Sequence, residues 1–339
     1  MQCRQIVFTE KNKAQLLTMD AKEPDSNEVM VETAVSTISC GTERANITGD
    51  PNVNAYGVSN ITFPRMSGYS SAGTVVKKGD DVKSVNVGDR VVVFWGQHKS
   101  YNIVPEEQIV KIEDDNISLE TGAISFISAF PMAAIRKTRL EMGESAIVMG
   151  LGILGMLAVK LLRAAGAVPI IAADPNAKRR EIALKNGADY AFDPLCKEFA
   201  ENVKNTTGGG VNVAIEVTGV GAGFNEALDC MAKFGRVALL GCTRNSDFTV
   251  DYYKKIHAPG ITVIGAHTIA RPSVESYPGW FTHRDDIKAL LKLCGGNRIC
   301  LDNLIEETHS PEECSKVYNR MINDKNFPIV VQFDWRRLK

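Results

Sequence analysis

The segment Ala146-Ile147-Val148-Met149-Gly150-Leu151-Gly152-Ile153-Leu154-Gly155 decides the fold of this chain. Its first four residues are apolar and predict a buried strand, and its glycines have the spacing G-x-G-x-x-G. A helical pattern of apolar residues then continues to Ala165. A strand, a glycine-rich turn and a helix in this order are typical of a parallel unit that binds a dinucleotide.

The residues of the turn have predicted roles in holding a pyrophosphate. Gly150 is expected to make the tight turn, Gly152 to let the backbone approach the phosphates, and Gly155 to let the helix pack on the strand. The start of the helix exposes N–H groups that suit phosphate oxygens. The remaining predicted cofactor contacts in the turn are Leu151, Ile153 and Leu154. The alternative is a glycine-rich turn without a ligand.

An acidic residue ends the next predicted strand. Asp174 follows Ile170–Ala173, and a carboxylate there can accept the ribose hydroxyls of NAD and repel the 2′-phosphate of NADP. The sequence therefore predicts NAD, with NADP the less favoured cofactor. Arg179 could lie beside the adenosine ribose, which leaves an opening for NADP. Val217 and Thr218, at the end of a later strand, are predicted to complete the cofactor site.

The residues around this unit indicate two domains, which is usual for a length of 339 residues. From Ser145 onward strands alternate with helical segments, which favours a parallel sheet covered by helices. Earlier residues form short strands separated by turn signals such as Lys78–Asp81. We expect an α/β protein in which residues 126–266 form the doubly wound sheet. Residues 1–125 and 267–339 would form a β-rich domain.

Composition and charge exclude several function classes. Lys and Arg number 39 against 40 Asp and Glu, so neither a nucleic-acid partner nor a membrane partner is predicted. The eight cysteines contain no C-x-x-C pair, which favours reduced thiols over disulfides or a zinc lobe. The first residues lack the apolar core of a signal peptide. We expect a cytoplasmic protein that acts on a small molecule.

Three segments of the β-rich domain match one family in order and spacing. Ser39–Glu43 resembles its Cys-Gly-Thr-Asp segment, and Ser67–Gly73 resembles its Gly-His-Glu-x-x-Gly segment. Val85–Val92 resembles its Val-Gly-Asp-Arg-Val strand. The family is the medium-chain dehydrogenase/reductase superfamily, the alcohol and polyol dehydrogenase group, and the resemblance covers nearly the whole chain. It implies a GroES-like catalytic domain, then a Rossmann domain, then a return to the first domain.

The departures from this family lie at its zinc positions. Zinc-dependent members hold the metal with the first cysteine, with the histidine of Gly-His-Glu, and with a later Cys, Asp or Glu. Cys40 is retained here, but Tyr69, Ser70 and Ile124 replace the histidine, its glutamate and the third ligand. A zinc site needs three or four convergent ligands. Since Val91–Tyr101 also lacks the family's four structural cysteines, we expect no zinc and interpret Cys40 as a buried thiol.

The resemblance implies hydride transfer between NAD(H) and a small polyol, sugar or keto compound. Without zinc, a hydrogen-bond donor must stabilise the alkoxide. Tyr69 is the first candidate, because an ordinary phenol, with a pKa near 10, is protonated at neutral pH. A tyrosine that merely fills the empty metal position is an equal alternative. The other candidates are Thr42, which matches a proton-passing hydroxyl of zinc members, and His257, between the last Rossmann strands.

Several further interpretations are left open by the residues. The chain could be a zinc-free reductase of enones or quinones, or a non-catalytic NAD(P)H-binding protein. Glu43 and Arg44 are predicted to brace their loop rather than hold a substrate. The aromatic cluster Trp280–His283 could line a substrate pocket or pack at the surface or at an interface. Ile261–Ile264 is predicted to be an exposed edge strand that pairs with a second copy, giving a homodimer or a dimer of dimers.

Overall fold

The computed structural model describes residues 1–50, 61–243 and 246–339, which form two compact units. The first unit contains Met1–Ile127 and Ile287–Lys339, and the second contains Ser128–Asp286. Within the described ranges, no helix combines the length and apolar character that a bilayer crossing requires.

The amino-terminal part of the first unit is built mainly from strands. They are β1 (Gln2–Glu10), β2 (Lys13–Asp20), β3 (Glu28–Thr37), β4 (Arg65–Met66), β5 (Ser70–Lys78), β6 (Arg90–Phe94), β7 (Tyr101–Pro105) and β8 (Ile109–Lys111). Helix α1 (Cys40–Thr48) lies between β3 and β4, and α2 (Leu119–Lys137) follows β8. Alternate valines such as Val29 and Val31 of β3, and Val91 and Val93 of β6, belong to one buried cluster. This period of two is why these segments form strands.

The second unit contains a six-stranded parallel sheet. Its strands are β9 (Ala146–Met149), β10 (Ile170–Ala173), β11 (Tyr190–Phe192), β12 (Val211–Glu216), β13 (Met231–Leu239) and β14 (Thr262–Gly265). Its helices include α3 (Ile153–Ala164), α4 (Ala177–Lys185), α5 (Phe199–Thr207) and α6 (Gly221–Asp229). The strand order is β11-β10-β9-β12-β13-β14, so the order reverses between β9 and β12. Ligands of such sheets bind at the carboxyl ends of the strands beside this reversal.

The end of the chain completes the first unit. Helix α7 (His283–Gly295) is followed by β15 (Ile305–His309), α8 (Cys314–Asn323) and β16 (Val330–Asp334). Strand β16 pairs antiparallel with β3, in a seven-stranded sheet that runs β15-β16-β3-β5-β6-β8 with β7 also on β3. The predicted return of the chain to its first domain is therefore present.

The position of that return differs from the prediction, because the structure places residues 267–286 in the second unit. The cause is a buried ionic cluster at the end of α2. Asp286 is fully buried, and its carboxylate lies 3.1 Å from Arg136 and 3.0 Å from Arg271. The Arg136 guanidinium also lies 3.7 Å from the centre of the Phe281 ring. Phe281 of the aromatic cluster therefore packs against the end of α2 within its own unit.

Strand β14 lies at the edge of the parallel sheet, as predicted. Among the described residues it pairs only with β13, and Val263 is 38% exposed. An unpaired edge with an exposed apolar side chain is a surface on which another strand can add.

Candidate active site

The glycine-rich turn between β9 and α3 has a geometry that suits its predicted roles. Gly150 has φ +94°, which a side chain rarely allows, and a Cβ there would lie 3.1 Å from Cγ2 of Thr218. A Cβ on Gly155 would lie 1.9 Å from the carbonyl oxygen of Gly150. A Cβ on Gly152 would meet nothing within 4 Å. Gly150 and Gly155 thus shape the turn, whereas Gly152 leaves open space above it.

The first turn of α3 faces this open space with available donors. Gly152 occupies the N-cap position, and no side chain caps the helix there. The first N–H groups of a helix have no acceptor within the helix, so an anion can bind them. Ile153 and Leu154 supply such groups, which is the arrangement that a pyrophosphate requires.

Asp174 connects the glycine-rich turn with the next strand end. It is 6% exposed, and its Oδ2 accepts a hydrogen bond of 2.8 Å from the Leu151 N–H. Its Oδ1 accepts one of 2.8 Å from the Asn176 N–H, and the Arg179 guanidinium lies 3.8 Å away. A carboxylate has about four acceptor positions, so ribose hydroxyls can still bind. Asp174 therefore supports the turn as well, a role that the sequence did not indicate.

The end of β12 holds a residue that the sequence analysis missed. Glu216 is 3% exposed, and burial raises the pKa of its carboxyl. It accepts hydrogen bonds from the Thr218 N–H at 2.7 Å and from the Thr218 hydroxyl. The Val217 N–H donates to the Met149 carbonyl at 3.0 Å. Glu216 thus fixes the turn that meets Gly150, and a charged residue inside an apolar strand was the signal for it.

In the first unit, the structure brings together the segments that correspond to the family's zinc positions. The Tyr69 hydroxyl donates to Oγ of Ser39 at 2.5 Å, directly before Cys40. The Ser70 hydroxyl donates to the Ala123 carbonyl at 2.6 Å, directly before Ile124. Ile124 is fully buried, and Cys40 is half-buried rather than buried as expected.

Two aromatic rings contact the ring of Tyr69. The Tyr69 ring centre lies 5.8 Å from those of Trp95 and Phe126. Trp95 is 40% exposed and has φ +58°, a conformation that costs energy for a bulky residue. The backbone N–H of Trp95 donates to the Tyr69 carbonyl at 2.9 Å, which holds Trp95 beside the tyrosine. Strained residues of this kind are concentrated at functional sites.

Glu43 braces the same region from the interior, in agreement with the bracing interpretation. The Ser39 N–H donates to its Oε1 at 2.8 Å, and the Tyr318 hydroxyl donates to its Oε2. Nε2 of the fully buried His98 lies 3.2 Å from that Oε2, while Nδ1 lies 2.7 Å from Ser36 Oγ. Burial raises the pKa of Tyr318 well above its usual value. Glu43 therefore anchors the serine that receives the Tyr69 hydrogen bond.

The remaining candidate catalytic residues lie in different places. Thr42 is half-buried in the first turn of α1, beside Glu43. His257 is exposed and ends a short helical turn before β14. Pro259, two residues after His257, accepts a hydrogen bond of 2.9 Å from the Phe234 N–H near the start of β13. The helical turn that ends at His257 therefore lies at the amino ends of the strands. Because the glycine-rich turn is at the opposite edge, the structure does not support a catalytic role for His257.

Two family models match the chain. The alcohol dehydrogenase GroES-like domain matches residues 25–114, and the zinc-binding dehydrogenase model matches residues 154–283. An L-threonine 3-dehydrogenase of Pyrococcus horikoshii is 27% identical over 280 residues, which cover 74% of this chain and 79% of the relative. The (R,R)-butanediol dehydrogenase of Bacillus subtilis is 29% identical over 308 residues, which cover 79% of this chain and 84% of the relative.

The fold is shared with solved structures. The crystal structure of 2R,3R-butanediol dehydrogenase from Bacillus subtilis matches with a TM-score of 0.82 and 23% identity, over 98% of this chain and 99% of that one. Together with the two family models, this similarity confirms the predicted α/β class, with a GroES-like domain and a Rossmann domain.

Proposed function

We propose that this chain uses NAD(H) on a small polyol, sugar or keto compound. It belongs to the medium-chain, zinc-type alcohol dehydrogenase superfamily and is an NAD(P)-dependent oxidoreductase. The names of the relatives support this substrate class, because threonine and butanediol are small molecules with a hydroxyl beside a second polar group. The same names favour an enzyme over a non-catalytic cofactor-binding protein.

The residues of the second unit fit a nicotinamide dinucleotide. The open space above Gly152 and the uncapped start of α3 suit the pyrophosphate. Asp174 keeps acceptor positions for the ribose and carries the charge that disfavours a 2′-phosphate. Arg179 lies near this same carboxylate, which partly neutralises it, so our proposal of NAD rather than NADP rests on Asp174. When bound, the nicotinamide supplies or accepts the hydride.

The residues at the family's zinc positions do not fit zinc, and we propose that catalysis proceeds without it. Cys40 is the one retained ligand type, since Tyr69, Ser70 and Ile124 present a phenol, a hydroxyl and a hydrocarbon. No group of three or more His, Cys, Asp or Glu residues suited to a metal is found in the described ranges. Glu43 is already engaged by its own buried partners.

The Tyr69–Ser39 hydroxyl pair carries the proposal. When hydride reaches a carbonyl carbon, the oxygen gains negative charge that a positioned donor must stabilise. A hydroxyl both donates and accepts, so Ser39 can donate to Tyr69 while Tyr69 donates to the substrate oxygen. The Glu43 carboxylate holds the Ser39 backbone in place for this arrangement. The aromatic rings of Trp95 and Phe126 would form an apolar wall beside the reacting carbon.

A substrate panel tests the proposed reaction. With NAD or NADH, the purified protein should turn over polyols, sugars or their keto forms, and prolonged chelation should not lower the rate. Turnover limited to quinones or conjugated enones would favour the second candidate, a zinc-free reductase of those compounds. One zinc per chain after dialysis, together with loss of activity on chelation, would contradict the zinc-free mechanism.

A further inference from the structure

A thiol and an imidazole lie together at the carboxyl edge of the parallel sheet. Cys242 follows β13 and His267 follows the neighbouring strand β14, and Sγ of the cysteine lies 3.3 Å from Nε2 of the histidine. Both side chains are at least partly accessible to solvent, and Cys242 is exposed. The pair takes no part in the hydride transfer proposed above.

The local backbone determines which way the imidazole proton points. The Ile269 N–H is directed at Nδ1 of His267, at 3.4 Å, so Nδ1 acts as an acceptor. A neutral imidazole carries one proton, which must then be on Nε2, the atom that faces the sulfur. The Ala270 N–H donates to the His267 carbonyl at 2.8 Å and closes the turn that holds the ring. His267 therefore presents an N–H donor to the thiol.

The cysteine is also held by its surroundings. A Cβ on Gly219 would lie 2.5 Å from the carbonyl oxygen of Cys242, so the two turns pack backbone against backbone. The sulfur is thus kept at a defined place beside the imidazole while remaining open to solvent.

We propose that Cys242 and His267 form a reactive thiol site for soft electrophiles of the α,β-unsaturated carbonyl class. The nucleophile of such a site is the thiolate, and an N–H donor stabilises the negative charge on its sulfur. The sulfur forms a bond to the β-carbon, and the π electrons of the C=C bond move to form an enolate. The proton that left the thiol is returned by water to the α-carbon, so the addition needs neither an oxidant nor a reductant.

The chain supplies its own reference cysteines for a test. Cys196 and Cys300 are exposed, and neither has a histidine hydrogen bond among the described residues. Cys230 and Cys314 are buried, and burial raises their pKa to about 12 and about 11, so they should be inert. The exposed pair controls for accessibility, and the buried pair reports whether the fold is intact.

The experiment measures the alkylation rate of each cysteine by N-ethylmaleimide, using the intact folded protein at neutral pH and peptide mass spectrometry. Cys242 should react faster than Cys196 and Cys300. His267→Phe removes the donor and keeps a planar ring, so the Cys242 rate should fall about three- to tenfold, the range for one net hydrogen bond. His267→Gln can place an amide N–H near the sulfur and should recover part of the rate.

Two results would overturn the proposal. One is a wild-type Cys242 that reacts no faster than the two exposed reference cysteines. The other is an unchanged Cys242 rate in His267→Phe while Cys230 stays unreactive. If His267→Phe exposes Cys230 through misfolding, the comparison within the wild-type protein still decides the outcome.

Discussion

The same added methyl group should affect different properties at the two later glycines of the turn: cofactor affinity at Gly152 and stability at Gly155. Gly152 has φ −74° and ψ −167°, which alanine adopts readily, and its Cβ would meet no protein atom within 4 Å. Gly152→Ala should therefore change the free energy of unfolding by less than about 0.5 kcal/mol. The new methyl group would occupy the space that the pyrophosphate needs, so NADH affinity should fall at least tenfold, which corresponds to about 1.4 kcal/mol.

Gly155→Ala is the matched counterpart. Its Cβ would lie 1.9 Å from the backbone carbonyl oxygen of Gly150, so α3 must shift away from the glycine-rich turn. Overpacking of this kind costs about 1–3 kcal/mol, and the free energy of unfolding should fall by that amount.

Urea unfolding and NADH fluorescence titration of both variants measure the two effects separately. Gly155→Ala should be less stable than the wild type. Gly152→Ala should be as stable as the wild type but should bind NADH more weakly. Normal NADH binding by Gly152→Ala would refute the placement of the pyrophosphate above this residue. An unchanged stability of Gly155→Ala would refute the close contact between α3 and Gly150.

Three other predictions concern specificity, stability and assembly. Asp174→Asn keeps an acceptor for the Leu151 N–H but loses the negative charge, so titrations should show a smaller preference for NADH over NADPH. An unchanged ratio of the two affinities would mean that another residue sets the cofactor preference. Asp286→Ala leaves buried Arg271 unpaired and should cost about 3–5 kcal/mol in urea unfolding, whereas Asp251→Ala at an exposed ion pair should cost at most about 1 kcal/mol. The edge strand β14 predicts a two-fold dimer, and light scattering that reports a monomer at micromolar concentration would exclude it.

The local part of the site could be predicted from the sequence, because its signals lie within a few residues. The strand, the glycine spacing and the helix of residues 146–165 are neighbours in the chain, and each step follows from backbone geometry. Asp174 was found by its position after the next strand. Its hydrogen bond to Leu151 was not, since that contact depends on how two loops pack.

The parts that could not be predicted depend on contacts between distant residues. Ser39 and Tyr69 lie 30 positions apart, and Glu43 and Tyr318 lie 275 apart. No local pattern indicates that these side chains meet. The prediction that the chain returns to the first domain at residue 267 was wrong for the same reason. Burial of Asp286 against Arg136 and Arg271 attaches residues 267–286 to the second unit.

Turnover of Tyr69→Phe tests the central claim most directly, namely that a hydroxyl pair replaces zinc. The variant keeps the ring between Trp95 and Phe126 and removes only the donor. Tyr101→Phe is the control, because its hydroxyl donates to the exposed side chain of Glu32.

The rates are compared after chelation, with NADH affinity measured in parallel. Tyr69→Phe should lower turnover roughly a hundred- to a thousand-fold while NADH affinity holds, and Tyr101→Phe should leave both unchanged. Full turnover in Tyr69→Phe would contradict the account, since Tyr69 would then only fill the position that a metal ligand occupies in other members of the family.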